Sequence, residues 1–323
     1  MTQFGYRTLG FGSGVAARSP YDVEWLCIAG GASGGASSYS GGGGAGGYRS
    51  KYASENSGGG TNTESLLTLV PGTQYTITVG AGGASASEDQ PGNNGEDSTI
   101  SGSDITDITS AGGGGGGINP PTSLPAEPDG VSGGSGGGAG AKNNSYNPTA
   151  GSGTANQGYD GGLSGRDGYS GPYSGTGGGG GAGAVGGDAP QSHPVGSSDA
   201  ASGGNGLASD ITASTVTRAG GGGGSCYYGA DPGANGGTGG GGEGAYKTTD
   251  PPTNGSANTG GGGGGASSAV MGQSTGGSGV VILRMADASY SGTTTGSPTV
   301  ATGQGASSNE TIITFNDDGT YTG

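Results

Sequence analysis

Apolar residues in this chain come in short bursts separated by long polar and glycine-rich stretches. In residues 21–29, Val23, Trp25, Cys27 and Ala29 interleave with Glu24, Leu26 and Ile28, which predicts a strand with mostly apolar faces. Leu66, Leu67, Leu69 and Val70, then Pro71-Gly72, then Tyr75, Ile77 and Val79 read as a β-hairpin closed by a type II turn. Further strands are expected over residues 98–100, 105–109, 211–217 and 279–285. A last hairpin pairs 310–315 with 320–322 across Asn316-Asp317-Asp318-Gly319, where Asp-Gly is a strong turn signal.

Between these bursts lie uninterrupted glycines at 41–44, 112–117, 177–181, 220–224 and 260–265. A run without side chains buries no apolar area, so only backbone hydrogen bonds and close chain packing can order it. An α-helix is disfavoured there by about 1 kcal/mol per residue relative to alanine. Polyproline II remains: three residues per turn, a rise of about 3.1 Å, and no internal hydrogen bonds. Every N–H and C=O then points outward and needs a neighbour, and close neighbours are possible only where no Cβ stands between the chains. The expected fold class is therefore mainly irregular and all-β: a bundle of polyglycine II helices packed with short antiparallel strands and hairpins, with almost no α-helix. Gly114, Gly179, Gly222 and Gly262 are its candidate scaffold glycines. The blocks lack the every-third-residue spacing of collagen, and none is followed by the Gly-Lys-Ser/Thr of a phosphate loop.

A partial repeat joins the two element types. Gly92-Asn93-Asn94-Gly95, Asp104-Ile105-Thr106 and Thr109-Ser110-Ala111 lead into the run at 112–117. Gly203-Gly204-Asn205-Gly206, Asp210-Ile211-Thr212 and Thr217-Arg218-Ala219 lead into the run at 220–224. Polar segments at 118–132, 142–176, 188–202, 225–235 and 243–259 read as loops, long for a compact domain. Residues 1–20 differ in character and read as an attachment arm, with Phe4, Tyr6, Arg7, Leu9 and Phe11 as its contact residues. The glycine-rich domain then covers 21–285, and 286–323 is a linker and hairpin.

Composition narrows function mainly by exclusion. Hydrophobic residues are 28% of the chain and the formal net charge is −15, so neutralising a nucleic-acid backbone is not an expected role. The opening residues show no apolar signal core and no span long enough for a membrane, which implies synthesis in a cytoplasm without a signal peptide and no membrane insertion. Cys27 and Cys226 read as separate thiols rather than a pair. The single histidine, His193, lies in a polar loop, and Asp317-Asp318 are explained by a turn. No catalytic, cofactor-binding or metal-ligating residue is assigned, so the expectation is a protein that is not an enzyme. Tyrosine is the dominant aromatic, with 15 residues. Tyr146, Tyr159, Tyr169, Tyr173, Tyr227, Tyr228 and Tyr246 lie in the polar segments, where Tyr, Ser, Gly and Asn together make adaptable binding surfaces. The competing reading, held equally, is that they cover the glycine rods.

Four motifs in order carry a resemblance: Val-Glu-Trp-Leu-Cys-Ile-Ala-Gly-Gly from Val23 followed by Gly41 to Arg49, the segment from Leu67 to Gly83, Gly95 to Ile100, and Gly276 to Arg284. Together they resemble the glycine-rich domain common in bacteriophage tail-fibre and other virion proteins. The resemblance implies packed polyglycine II rods and a virion protein: a short tail fibre, or a capsid fibre or decoration. Such a protein is joined to other virion proteins through the arm and is expected to be a homo-oligomer. Two alternatives stay open: a tip adhesin recognising a host glycan or outer-membrane protein, and an extracellular matrix or ice-binding glycine-rich protein. The strand pair at 311–322 resembles one that often precedes the Trp-containing strand, which places it against residues 21–29, in the same or a neighbouring subunit.

Overall fold

The computed structural model describes residues 19–60, 63–119, 129–141, 147–165, 175–190, 200–226, 233–268 and 272–323. Two antiparallel sheets face each other. The first runs in the order β11 (Thr299–Gln304), β12 (Glu310–Phe315), β9 (Val280–Ala286), β1 (Tyr21–Ile28), β2 (Tyr48–Lys51), with β3 (Leu67–Leu69) sharing the β2 edge of β1. The second is β10 (Thr293–Thr295), β13 (Gly319–Thr322), β4 (Gln74–Thr78), β5 (Ser98–Ser101), β6 (Ile108–Ser110). A separate ribbon pairs β7 (Leu207–Ser209) with β8 (Val216–Arg218).

The apolar runs follow from where each sheet sits. Val23, Trp25 and Cys27 of β1, Val281, Leu283 and Met285 of β9, and Ile313 and Phe315 of β12 pack onto Tyr75, Ile77, Ile100, Ile108 and Tyr321 of the second sheet. The alternate residues Leu26, Ile28, Val280, Ile282 and Ile312 point the other way, onto Tyr48, Ala182, Ile211 and Ala219. The first sheet is thus buried on both faces, and its strands read as near-continuous apolar runs. The second sheet is buried on one face, and β4 alternates accordingly: Tyr75 and Ile77 are buried while Gln74 and Thr76 are exposed. Each such large side chain contributes roughly 1.5–3 kcal/mol on burial, so these two clusters supply the oily part of the stability.

The glycine runs lie beyond β1 and β9 as rods that run alternately away from the sandwich and back. Their hydrogen bonds repeat every three residues, as polyproline II geometry requires. In the 220–224 run, Gly220 and Gly223 donate to Gly239 and Gly242, Gly221 and Gly224 to Gly204 and Ala201, and Gly222 and Ser225 to Gly43 and Ser40. The carbonyls of Gly220 and Gly223 accept from Gly262 and Gly265, and those of Gly221 and Gly224 from Gly237 and Ala234. Three donor directions and three acceptor directions place neighbours all round the rod. The run at 41–44 is the hub: Gly41 and Gly44 donate to Gly117 and Gly114, Gly42 and Ala45 to Gly177 and Gly180, Gly43 and Gly46 to Gly263 and Gly260, and the carbonyl of Gly43 accepts from Gly222. One rod so ties together the other four runs.

Glycine is required here for space and not for backbone freedom. Among the five runs only Gly260 has a positive φ. A Cβ added at Gly114 would meet the Val131 carbonyl oxygen at 1.9 Å, and one at Gly179, Gly222 or Gly262 would meet the oxygen of Gly43, Gly263 or Gly43 at 2.0 Å. At the outer faces, where a rod lacks a neighbour, Asn and Asp side chains take the outward N–H groups. Asn94 and Asp97, three residues apart, accept from Gly115 and Gly112, also three apart. Asp160 accepts from Gly153, Asp188 from Leu163, Asn205 from Thr238 and Asn254 from Thr275.

The structure corrects several expectations. The Pro71-Gly72 turn forms, with Gly72 at φ +85° and Thr73 donating to the Val70 carbonyl, but β3 and β4 are not a hairpin: β3 pairs with β1 and β4 with β5 and β13. Likewise β12 and β13 lie in different sheets, with β12 on β9 rather than on β1. Both turns cross between the sheets because each flanking strand has apolar partners in its own layer. Of the strand expected over 211–217, only 216–217 are strand, within β8; 211–215 form the turn joining β7 and β8, and Ile211 is its buried residue. Strands β2, β10 and β11 have no apolar burst to announce them. Much of the expected loop at 142–176 is rod: Gly151, Tyr159, Gly161 and Gly162 hydrogen-bond to other rods although few of their neighbours are glycine.

Replacing Gly222 by alanine is expected to cost about 3 kcal/mol or more in urea unfolding, at the upper end of overpacking, because the obstructing atoms are backbone. Gly72→Asn, at a position with nothing within 4 Å of a Cβ, is expected to change stability by less than about 1 kcal/mol.

Candidate interaction surfaces at the two ends of the molecule

Rod direction sorts the connections. The rod after β6 leaves the sandwich, 135–138 runs parallel to it, and 262–265 runs parallel to the outward rod after β8. The rods at 41–45 and 177–180 are parallel to each other and return, the first into β2. By the same registers Asn119, Asp129, Ala141, Asn147, Gly165, Gly175, Pro190, Ala200, Cys226, Gly233, Ser268 and Gly272 all stand at the end of the bundle away from the sandwich. The chain between them comprises residues 120–128, 142–146, 166–174, 191–199, 227–232 and 269–271. At the opposite end are Ser19 and Tyr21, whose hydroxyl lies 2.8 Å from that of Tyr321, and Gly323, which bonds to Gly72 and Thr73.

The far end is closed by buried hydroxyls. Ser40 donates to the Ser37 carbonyl at 2.8 Å and its Oγ accepts from the Ser37 N–H. Thr176 donates to the carbonyls of Ser40 and Ser225 at 2.9 Å, and Ser225 Oγ both donates to the Ser40 carbonyl and accepts its N–H. All four residues are essentially inaccessible. Rod ends leave backbone groups without a neighbouring rod, and a small hydroxyl supplies both donor and acceptor in the room a glycine would take. These residues were not anticipated as a group. The available signal was position: Ser40, Thr176 and Ser225 each abut a glycine run.

Of the tyrosines expected at a binding surface, Tyr146, Tyr169, Tyr173, Tyr227 and Tyr228 lie outside the described residues, as do Phe4, Tyr6, Arg7, Leu9 and Phe11 of the arm and His193. Tyr246 is half-buried at the far end, with the Lys247 ammonium 4.5 Å from its ring centre and Lys247 N–H bonded to the Cys226 carbonyl. Tyr159 sits elsewhere, on the flank of the bundle: its N–H donates to Gly181, its carbonyl accepts from Gly136, and its hydroxyl packs at Gly60. The structure does not bring these two tyrosines together.

At the sandwich end, Tyr75 donates to Asp104 at 2.8 Å and accepts the Val70 N–H at 2.7 Å. Burial pushes its hydroxyl up to about 12. Burial also raises the Cys27 thiol to about 11, against a hydrogen bond from Ser110. Cys27 and Cys226 are not joined in a disulfide. Among the described residues no three His, Cys, Asp or Glu side chains converge as metal ligands would, and no helix is long and apolar enough to cross a membrane.

Residues 13–286 match the sequence model of a glycine-rich domain family. No curated protein matches the chain. The match stops where β9 ends, yet β12 and β13 beyond it complete both sheets by pairing with β9 and β4.

Two outcomes are expected from these sites. Thr176→Val, which keeps the shape and removes the hydroxyl, should destabilise by about 1–3 kcal/mol in denaturant titration. Alkaline stability should also fall in a defined window. Tyr75 and Cys27 keep their protons more tightly folded than unfolded, so their contribution is complete below about pH 9. It is lost as pH rises to about 12, seen as a falling melting temperature. Tyr75→Phe should lower stability at neutral pH and flatten that fall.

Proposed function

This chain belongs to the glycine-rich domain family, and we propose that it serves as a non-enzymatic structural protein of a bacteriophage virion, a short tail fibre or a capsid fibre or decoration. In this reading the arm, through Phe4, Tyr6, Arg7, Leu9 and Phe11, joins it to other virion proteins, and the loops at the far end meet the host surface. The observation that carries the reading is the separation of the two ends. The root of the arm lies beside Tyr321 and Gly72, and the residues flanking 120–128, 142–146, 166–174, 191–199, 227–232 and 269–271 all stand at the opposite end. At their glycines the rods between them have no room for a Cβ, which suits a stiff spacer. Tyrosine and small polar residues in the insertions favour neutral hydrogen-bonding targets, such as glycans, over strongly charged ones.

The test replaces residues 166–174, which join Gly165 to Gly175, by a glycine-serine segment of equal length. Particles should assemble with normal content of the protein while adsorption to host cells falls about tenfold. Serine at Phe4, Tyr6 and Phe11 should instead remove the protein from particles. If the arm variant is incorporated normally, or if adsorption is unchanged when all six far-end segments are replaced together, the reading fails.

A further inference from the structure

On one side of the sandwich the two sheets end in unpaired edges. Among the described residues strand β3 pairs only with β1 and β6 only with β5; on the outer side of β6 the Arg49 and Gln157 side chains donate to the Thr109 carbonyl and Gln157 accepts the Ala111 N–H. Between these edges runs an open groove of about 480 Å³, lined by Glu64, Leu66 and Thr68 on one wall and Asp104, Ile105 and Thr106 on the other, with Trp25 at its floor. Exposed strand edges over an apolar floor are normally covered or charged. Here two of the exposed large hydrophobic residues stand at this edge, Leu66 at 42% and Val70 at 37% exposure. Two carboxylates line the groove: Asp104 accepts from Tyr75, and Glu64 is paired with Arg49, whose guanidinium lies 5.9 Å from the Trp25 ring centre. Asp22, which accepts from Thr68, and the exposed Asp107 stand beside the lining, so carboxylates outnumber the one guanidinium.

We infer that this groove is the seat of the chain's own N-terminal arm, residues 4–11, before the protein joins an assembly. Residues 4–11 carry Phe4, Tyr6, Leu9, Phe11 and the cation Arg7 with no acidic residue, so they complement the apolar floor and the surplus of carboxylates around it. Its root is adjacent. Ser19 precedes Tyr21, and Tyr21 is paired with Leu69 of the strand whose free edge forms one wall. Eighteen residues extend to roughly 60 Å, so reach sets no limit, and a tether of this length gives an effective concentration in the millimolar range. An extended arm lying along β3 would satisfy the open edge and remove four large apolar side chains from water.

The arm's own arginine provides the readout. In the purified full chain, trypsin should cut after Arg7 slowly, and Leu66→Lys with Thr106→Arg, two exposed substitutions on opposite walls, should speed that cut about tenfold without altering the melting temperature. A labelled peptide of residues 1–18 should bind the full chain carrying Phe4→Ser, Tyr6→Ser and Phe11→Ser, with a shift in the emission of Trp25, the chain's one tryptophan, and should not bind when the groove substitutions are added. Protection of Arg7 should not depend on protein concentration, with the association state followed by light scattering. Equal cleavage rates in parent and groove variant overturn the inference. So does protection that appears only with dimer formation, which would place a second copy's arm there. All readouts come from the isolated chain, so they are independent of whether particles need the arm.

Discussion

The fold depends on close approach between backbones. In the bundle most of each rod's N–H and C=O groups are satisfied by other rods at ordinary distances, 2.7 to 3.3 Å, and at the glycine positions that spacing leaves no volume for even one methyl group. Glycine loses more backbone entropy on folding than any other residue. A bundle of such rods therefore persists only where nearly every polar backbone group finds a partner and where a conventional core anchors it. The two apolar clusters on either face of the first sheet supply that anchor, since β1 and β9 carry side chains into both the sandwich and the bundle.

Satisfying the edges of this lattice explains much of the remaining sequence. A rod at the surface exposes N–H groups in one of its three directions, and carboxylates and amides accept them, as Asn94 and Asp97 do for Gly115 and Gly112. Part of the chain's acidity is thus lattice termination. At the far end, where rods stop, Ser40, Thr176 and Ser225 do the equivalent work with hydroxyls. Arg284 works at the junction: it is buried, pairs with Glu310 at 2.6 Å and donates to the carbonyls of Asp210 and Ile211, linking the sandwich to the β7–β8 turn.

The partial repeat shows how the same local chemistry is used twice. In both copies an Asp-Ile-Thr turn joins two short strands and leads into a glycine rod. The first turn sets Ile105 against the sandwich core and the second buries Ile211 between the first sheet and the bundle. Only the first copy's strands join a large sheet. The segment from Thr293 to Thr322, outside the family match, completes each sheet with two more strands, β11 and β12 on one and β10 and β13 on the other, so the sandwich is wider than the glycine-rich region alone would make it.

Polyglycine geometry was legible from residue order because a run without side chains has one packing solution in which its hydrogen bonds are met. Strand positions were legible where burial on both faces left a continuous apolar signal, as in β1 and β9. Pairing was not. Pro71-Gly72 and Asp318-Gly319 specify a reversal of direction, but whether the strands on either side face each other depends on which layer holds their apolar partners, and those lie up to hundreds of residues away. The edge strands β10 and β11 and the rods in 147–165 left no mark, because exposed strands need no apolar pattern and a rod needs glycine only at positions where a neighbour's carbonyl intrudes. The placement of arm root and insertions at opposite ends was likewise invisible in the chain, since it follows from the alternating direction of rods whose order in the lattice is set by long-range hydrogen bonds.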